Sequence, residues 1–398
     1  MAMPSSGEIK FSQLQTEFGG SNPIQLSEYY GKGNAPASGE IQLGADFYGT
    51  SNTFAAGNQS VTDLATLGQA MILGPATNAV AGGTLTVNGQ ALGSYDYAIK
   101  TSSTTVSSFT TSQWFTGTAD SRSACIAVNG NLTINSGITF APSVRKLFTF
   151  IYVNGNLTLN GTISMTDRGA NAAGAGVTSR NILIYSGTHG GVSNPSIPSS
   201  GGAGGLGQSI GCPGSPSNPA GSAGTNGGTG GGGGGGNCGS VRAGSGSTGS
   251  AFVAGGGGGA INNAGTTVPA GNAVFNGGRG GDASTGSVSG GAAGGNGNPG
   301  GSSWAGGSAG HSGLAGTVII ICTGTISGTG SIQSYGHIGG AGGHAAGGSS
   351  GGGSINVMYG SNSSSWSLNA AGGPHNTTSA YGRYGGAGGA GTARLIAI

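Results

Sequence analysis

The stretch Ile126-Ala-Val-Asn-Gly-Asn-Leu-Thr-Ile-Asn135 recurs 25 residues later as Ile151-Tyr-Val-Asn-Gly-Asn-Leu-Thr-Leu-Asn160. Each copy places alternating apolar residues on both sides of an Asn-Gly turn and continues into Gly-Ile-Thr-Phe or Gly-Thr-Ile-Ser. A weaker echo is Thr325-Ile-Ser-Gly-Thr-Gly-Ser-Ile332. Repeats of this length with β periodicity predict a solenoid, in which apolar residues stack coil upon coil.

The composition around these repeats is dominated by glycine. The chain has 398 residues, of which 94 are glycine and only 6% are charged. So much glycine makes disorder an alternative, but disordered chains are usually highly charged and poor in β-branched residues. Short β-forming segments also punctuate the glycine tracts and predict that the tracts between them are ordered. These segments are 181–187, 316–322, 354–360 and 392–398.

The glycine tracts do not fit a collagen triple helix, because glycine is not strictly every third residue and only 13 prolines are present. Extended left-handed three-residue helices remain possible, since several laid side by side can hydrogen-bond to one another without a side-chain core. Only glycine permits such close backbones. We therefore predict an all-β chain: a β-solenoid or β-sandwich-like body with polyglycine II-like extended segments.

Charge and hydropathy narrow the classes of partner. A net charge of +2 gives no electrostatic reason to expect nucleic acid, and no apolar run is long enough to insert in a membrane. The N-terminus lacks the pattern of a signal peptide, so we expect synthesis in a cytoplasm. Cys212 and Cys238 flank the densest glycine stretch, and both a disulfide and two free thiols are open for them.

Residues 1–50 form a distinct small α+β unit in this interpretation. Ser12 with Gln15 fits a capping box, Leu14 and Phe18 share one face, and Gly19-Gly20 ends a helix of about two turns. A unit this small buries little surface by itself, so docking onto something larger would stabilise it.

The segment 7–31 carries a resemblance to a known class of proteins. It reads Gly7-Glu-Ile-Lys-Phe-Ser-Gln-Leu-Gln-Thr-Glu-Phe-Gly-Gly-Ser-Asn-Pro-Ile-Gln-Leu-Ser-Glu-Tyr-Tyr-Gly31. It resembles a motif near the start of structural proteins of tailed bacteriophages, including those of cyanophages. The resemblance implies a virion component that docks to other virion proteins through the apolar and aromatic positions Ile9, Phe11, Leu14, Phe18, Ile24, Leu26, Tyr29 and Tyr30.

The glycine-rich region resembles, in composition, the adhesins at the tips of T-even-type phage tail fibres. This implies a virion-exterior protein, made in the host cytoplasm, that mediates host attachment as a homo-oligomer, a trimer by analogy with fibres. The domains predicted are 1–50 for docking, 51–166 for a β-rich body with two repeats, and 167–398 for the exposed glycine region. The receptor is a host-surface glycan or an outer-membrane protein.

Catalysis is not expected. Eight of the ten acidic residues lie at or before Asp120, and the candidates for the paired carboxylates of a glycosidase are Asp96, Asp120, Asp167 and Asp282. No cofactor is predicted, because the glycine patterns lack the βαβ unit of a nucleotide site. No metal site is predicted, because no late histidine has a carboxylate near it in sequence to orient it.

Aromatic residues in the glycine-rich half predict the receptor contacts, since flat rings with a polar edge suit sugars or protein loops. The predicted contacts include His337 and Arg383, which neighbour these aromatic residues in sequence. The full set is Trp304, Tyr335, His337, Trp366, Tyr381, Arg383 and Tyr384. Covering the ends of the solenoid is an equally open role for the rings. The alternative functions are a decoration, collar or capsid-surface protein without a receptor, a depolymerising tailspike, and a secreted glycine-rich or ice-binding protein.

Overall fold

The computed structural model confirms the all-β class, with strands throughout and two short α-helices in the part of the chain it describes. It describes residues 10–18, 54, 57–118, 122–169, 181–197, 208–209, 241–242, 245–249, 252, 254–257, 261–262, 315–340, 346–377 and 383–398. The chain divides into two compact units: Met1–Ala55 with Leu73–Pro75, and Ala56–Ile72 with Ala76–Ile398.

The helices are α1 (Phe11–Phe18) and α2 (Leu64–Met71), and a single 3₁₀ turn covers Thr111–Gln113. The strands up to residue 164 are β1 (Gln59–Val61), β2 (Thr77–Val87), β3 (Gln90–Lys100), β4 (Thr104–Val106), β5 (Arg122–Val128), β6 (Leu132–Ile134), β7 (Thr139–Phe140), β8 (Thr149–Val153), β9 (Leu157–Leu159) and β10 (Thr162–Ser164). The later strands are β11 (Ile182–Leu183), β12 (Thr188–His189), β13 (Val192–Ser193), β14 (Ser196–Ile197), β15 (Gln208–Ser209), β16 (Val241–Arg242), β17 (Ile261–Asn262), β18 (Thr317–Ser327), β19 (Ser331–Gln333), β20 (Ser354–Asn362), β21 (Ser367–Asn369), β22 (Arg383–Tyr384) and β23 (Thr392–Ala397).

Parallel pairing arranges the main strands in three ladders, which we call together the coil stack. The first ladder runs β3, β5, β8, β18, β20, β23; the second runs β4, β6, β9 and the end of β18. The third runs β7, β10, β19, β21. Each pass of the chain through the ladders is one coil, and the two sequence repeats are two consecutive coils, β5–β7 and β8–β10. The next coil, β18–β19, begins only at Thr317.

The interior of the coil stack consists of rows of apolar residues at matching positions. Ile126 pairs with Ile151 and Ile151 with Ile320, while Leu132 pairs with Leu157. All five side chains are fully buried. In a parallel ladder without register shift, a residue type that repeats in sequence stacks on itself, so the repeat directly produces the core.

A corner between the first and second ladders explains the Asn-Gly-Asn motif. A Cβ on Gly155 would lie 2.7 Å from the carbonyl oxygen of Gly130, so the stacked corners leave no room for a side chain. The following asparagine of each repeat bonds to the next coil: the Asn131 Oδ1 accepts from the Asn156 N at 2.8 Å, and the Asn156 Oδ1 accepts from the Thr325 N at 2.8 Å. Glycine thus permits the close approach of successive corners, and the asparagine side chain accepts a hydrogen bond from the backbone amide of the next coil.

The β2–β3 hairpin lies beside the first coil and ends the parallel ladder. Its turn is Asn88-Gly89, with φ values of 49° and 72°, the left-handed conformation that a two-residue hairpin requires. Beside it, Asp63 begins α2 by accepting from the Thr66 N, and it also accepts from the N and Oγ of Ser186. Burial would raise the pKa of Asp63, but these hydrogen bonds outweigh it and hold that pKa below its ordinary value of 3.8.

Aromatic side chains close the early end of the core. Phe140 is the centre of this cluster, with ring centroids 5.0 Å from Trp114 and 5.3 Å from both Phe109 and Phe115 in tilted or edge-on contacts. Trp114 and Phe115 are buried. At the other end, Leu395 of β23 is 37% exposed, although its register partner Val357 is fully buried.

Extended glycine-rich segments leave the third ladder and return to the first. We call these the glycine arms: 334–340 with 346–353, and 370–376 with 385–391. Hydrogen bonds join the first pair at every third residue, from the N of Gly353, Ser350 and Gly347 to the O of Ser334, His337 and Gly340. The second pair does the same, from Gly385, Gly388 and Gly391 to Asn376, Gly373 and Ala370.

The segment 346–353 bonds to several neighbours at once. Besides 334–340, it donates to Gly386 and Gly389, and it accepts from Gly373 and Gly255. A three-residue repeat with amides and carbonyls pointing outward in several directions is the pattern predicted for packed polyglycine II-like segments.

In the first unit, α1 is confirmed with Leu14 and Phe18 buried. The capping prediction was wrong in register. The helix begins at Phe11, so Ser12 lies inside it, and the side chain of Gln13 accepts from the Lys10 N at 2.7 Å. A glutamine side chain can satisfy that free amide as well as the predicted pair could. The other predicted docking positions, Ile9, Ile24, Leu26, Tyr29 and Tyr30, lie outside the described residues.

The glycine arms make a direct prediction about stability. A Cβ on Gly388 would overlap the carbonyl oxygen of Ser350, whereas one on Gly117 would meet nothing within 4 Å. We expect Gly388→Ala to lower the free energy of unfolding by about 1–3 kcal/mol, the usual cost of overpacking. Urea denaturation of both alanine variants measures this. Equal stability of Gly388→Ala and Gly117→Ala would contradict the proposed packing.

Candidate functional site

A groove of about 280 Å³ lies where each coil passes from the second ladder to the third. We call it the hydroxyl groove. Its lining comes from four successive coils and consists of Gly137, Ile138, Thr139, Asn160, Gly161, Thr162, Thr329, Gly330, Ser331 and Ser367. None of these residues carries an ionisable side chain.

The strand register aligns one hydroxyl from each coil along the groove. Thr162 pairs with Thr139 on one side and with Ser331 on the other, and Ser331 pairs with Ser367. Neighbouring strands lie about 4.8 Å apart, so this row spans about 14 Å along the stack. The Oγ1 of Thr162 and the Oγ of Ser331 are 3.0 Å apart and share a hydrogen bond. Thr139 and Ser367, at the ends of the row, are exposed.

The floor of the groove is bare main chain. A Cβ on Gly161 would lie 2.5 Å from the carbonyl oxygens of Asn135 and Ile138. A Cβ on Gly330 would overlap the carbonyl oxygen of Gly161. Because these corners accept no side chain, the hydroxyls beside them are left as the walls of an open channel.

Trp366, a predicted receptor-contact residue, immediately precedes Ser367 at the late end of the row. Its ring packs partly buried against the core, and its Nε1 donates to the carbonyl oxygen of Ser327 at 2.9 Å. The indole is therefore fixed by the coil stack. Trp366 is the chain neighbour of Ser367, which lines the hydroxyl groove, but its own side chain is not part of the lining.

Tyr335 and His337, two further predicted contacts, lie side by side at the start of a glycine arm. Their ring centroids are 5.1 Å apart, and the His337 Nε2 is 3.3 Å from the Asp167 Oδ1. All three side chains are partly buried. No carboxylate lies near a late histidine in sequence, and it is the coil stack that brings the distant Asp167 beside His337.

Other predicted contacts are less informative. Tyr384 is partly buried, and the β22 strand that contains it and Arg383 pairs in parallel with β16. Trp304 and Tyr381 lie outside the described residues, as do Cys212, Cys238, Asp120 and Asp282. Of the predicted contacts, the structure therefore brings Tyr335 and His337 together.

Asp96, a candidate acid in sequence, belongs to a buried ion-pair network. Its carboxylate is 2.6 Å from the Lys146 Nζ and 3.1 Å from the Arg122 Nη1, and the Thr116 hydroxyl donates to it. The ammonium of Lys146 also donates to the carbonyl oxygen of Thr118 at 2.6 Å. Burial lowers the pKa of Lys146 and the contact with Asp96 opposes that shift. With Asp96 2% exposed, this carboxylate joins strands and does not face a ligand.

This network predicts a large effect of removing its cation. Lys146→Met leaves a buried carboxylate with Arg122 as its remaining charged partner, so we expect a loss of about 3 kcal/mol, the lower end for a broken buried pair. Urea denaturation measures the loss. Lys10→Met, at an exposed lysine, is the control. A loss no larger than that of the control would show that the network contributes nothing.

The two described cysteines are free and buried. Burial raises the pKa of the Cys125 thiol above its ordinary range and that of Cys322 to about 11, so neither is a thiolate nucleophile at neutral pH. In the described ranges, no group of three His, Cys, Asp or Glu side chains could hold a metal ion. Among the described helices none is long and apolar enough to cross a membrane.

Comparison of the chain with protein-family models, with curated protein sequences and with solved structures gives no match. The assignment of function therefore rests on the site itself.

The hydroxyl groove was missed as a site at the sequence level, although the signal was present. A threonine or serine follows the corner glycine of each coil by seven or nine residues: Thr139 after Gly130, Thr162 after Gly155 and Ser331 after Gly324. Only the ladder register shows that these hydroxyls, with Ser367, form one row.

The geometry of the groove predicts different tolerance of its floor and its wall. We expect Gly330→Ala to destabilise the coil stack by about 1–3 kcal/mol, because its Cβ has no space. Ser367→Tyr should change stability by less than about 0.5 kcal/mol, because this side chain is exposed. Thermal unfolding of the two variants tests the contrast. If Ser367→Tyr were the more damaging, the open wall described here would be wrong.

Proposed function

We propose that the protein is a tailed-phage virion protein of the tail-fibre or tail-tip adhesin kind, which attaches to the host surface without catalysis. The observation that carries this proposal is the hydroxyl groove. It is a regular polar surface, built from four coils, whose lining residues include no carboxylate, imidazole, amine or thiol. Such a surface is suited to binding and not to acid–base chemistry.

The construction of the coil stack supports a role on the exterior of the particle. Its apolar rows are buried as far as β20, and its glycine arms pair main-chain groups with several neighbours. Segments with few unpaired backbone groups open rarely, and rare opening limits proteolysis. A rigid support also lowers the entropic cost of binding.

Docking to the particle is assigned, in this proposal, to the N-terminal unit and its phage-like motif over 7–31. Leu14 and Phe18 are buried in α1, so neither side chain is exposed for docking. The exposed remainder of the helix, including Ser12 and Thr16, is then available to other virion proteins. Several copies on one particle, as a homo-oligomer, would add avidity to weak receptor contacts.

The rival proposal is a decoration, collar or capsid-surface protein with no receptor. A depolymerising tailspike is less well supported, because Asp96 is held in a structural ion-pair network and Asp167 faces His337. The two leading proposals differ in whether the isolated protein recognises host cells.

An adsorption assay separates them. Host cells are first incubated with the purified full chain and then with the phage whose genome encodes it, and unadsorbed phage is counted over time. We expect the adsorption rate to fall as the protein concentration rises and then to reach a plateau. Protein added after adsorption is the control. An unchanged rate at a concentration that saturates any cell-bound protein would favour a decoration protein.

A further inference from the structure

We propose that the hydroxyl groove binds a neutral, hydroxyl-rich glycan chain that lies along the coil stack and crosses several coils. This inference rests on the proposed attachment function and specifies its ligand. Its starting point is the row Thr139, Thr162, Ser331 and Ser367, whose register is fixed by the parallel third ladder.

The chemistry of the lining matches a sugar chain. A serine or threonine hydroxyl both donates and accepts, as every sugar hydroxyl does. The Asn160 side chain adds amide N–H donors. The amides and carbonyl oxygens of Gly161 and Gly330 already pair with neighbouring coils, so the side chains of the lining carry the recognition. The absence of ionisable groups in this lining leaves nothing to attract a sulfate, phosphate or uronate, so the matching glycan is uncharged.

The shape of the groove favours a chain over a single sugar or a protein loop. The hydroxyl row spans about 14 Å with one repeat every 4.8 Å or so, and a polymer with regularly spaced hydroxyls meets each repeat in turn. Protein interfaces depend on buried aromatic or arginine anchors. In the groove lining the apolar side chain is that of Ile138, and the neighbouring Trp366 already packs on the core.

A second hydroxyl row provides a matched control within the same coils. Thr158 on the second ladder pairs with Ser327, and their hydroxyls are 3.0 Å apart, as in the pair Thr162 and Ser331. Both pairs bridge the same two coils and are partly buried. Thr158 and Ser327 do not line the groove. The two pairs therefore differ in whether a ligand in the groove can reach them.

The test uses affinity electrophoresis of the full chain in native gels that contain one polysaccharide each. The neutral probes are dextran, mannan, galactan and the neutral fraction of host surface polysaccharide, and the anionic probe is polygalacturonate. We expect at least one neutral probe to retard the protein, equally at low and high salt, because an uncharged ligand is not screened.

For that probe, Thr162→Val/Ser331→Ala should weaken binding about tenfold, as expected for two lost hydrogen bonds. Ser367→Tyr, which fills the open end of the row, should abolish retardation. Thr158→Val/Ser327→Ala should bind like the parent. Circular dichroism and thermal unfolding of each variant confirm that it is folded before binding is compared.

Three results would overturn the inference: no retardation by any neutral probe, retardation by polygalacturonate alone that disappears with salt, or equal weakening by the groove pair and the control pair. Each is distinguishable from failure of the proposed function. If the protein blocks phage adsorption but binds no neutral glycan, the attachment function stands and the ligand assigned to the groove is wrong. If it binds glycan in the groove but does not block adsorption, the reverse holds.

Discussion

Close approach of main chains is the constraint on which the rest of this structure depends. Coils stack at the spacing of hydrogen-bonded strands, and at the corners this leaves no room for a Cβ, as at Gly155 and Gly330. The same constraint applies to the glycine arms, since a Cβ on Gly388 would overlap a neighbouring carbonyl oxygen. Glycine costs conformational entropy on folding, and the hydrogen bonds and apolar rows that it permits offset that cost.

Where successive coils pair in register, equivalent residues of a sequence repeat lie one above the other in a row. Inside, the row that includes Ile126, Ile151 and Ile320 buries apolar surface continuously. Outside, the ladders align hydroxyls along the groove and asparagines along the corner. A binding surface of this kind needs no dedicated loop, because each added coil extends the core and the polar row together.

Residues of the candidate site differ in whether their own chemistry predicts their role. Aromatic side chains are rare among the glycines and were predicted to contact a receptor, yet Trp366 packs largely on the core, with its Nε1 bonded to Ser327. Asp96 had the chemistry of a catalytic acid in sequence, but burial beside Lys146 gives it a structural role. Thr162 and Ser331 are ordinary residues singly, and their importance comes from alignment.

The repeat at 126–160 was sufficient to predict β-strands, their spacing and an apolar interior, because strand alternation and glycine corners are local properties of the chain. The helix at 11–18 and the strands that begin at 317, 354 and 392 were predictable for the same reason. Tertiary structure alone decided that the coil after β10 begins at Thr317. It thereby placed Ser331 against Thr162, 169 residues away in sequence, and Asp167 beside His337. No local pattern encodes such pairing between distant strands. It depends on which later strand adds to the ladder and buries the apolar row of the coil before it.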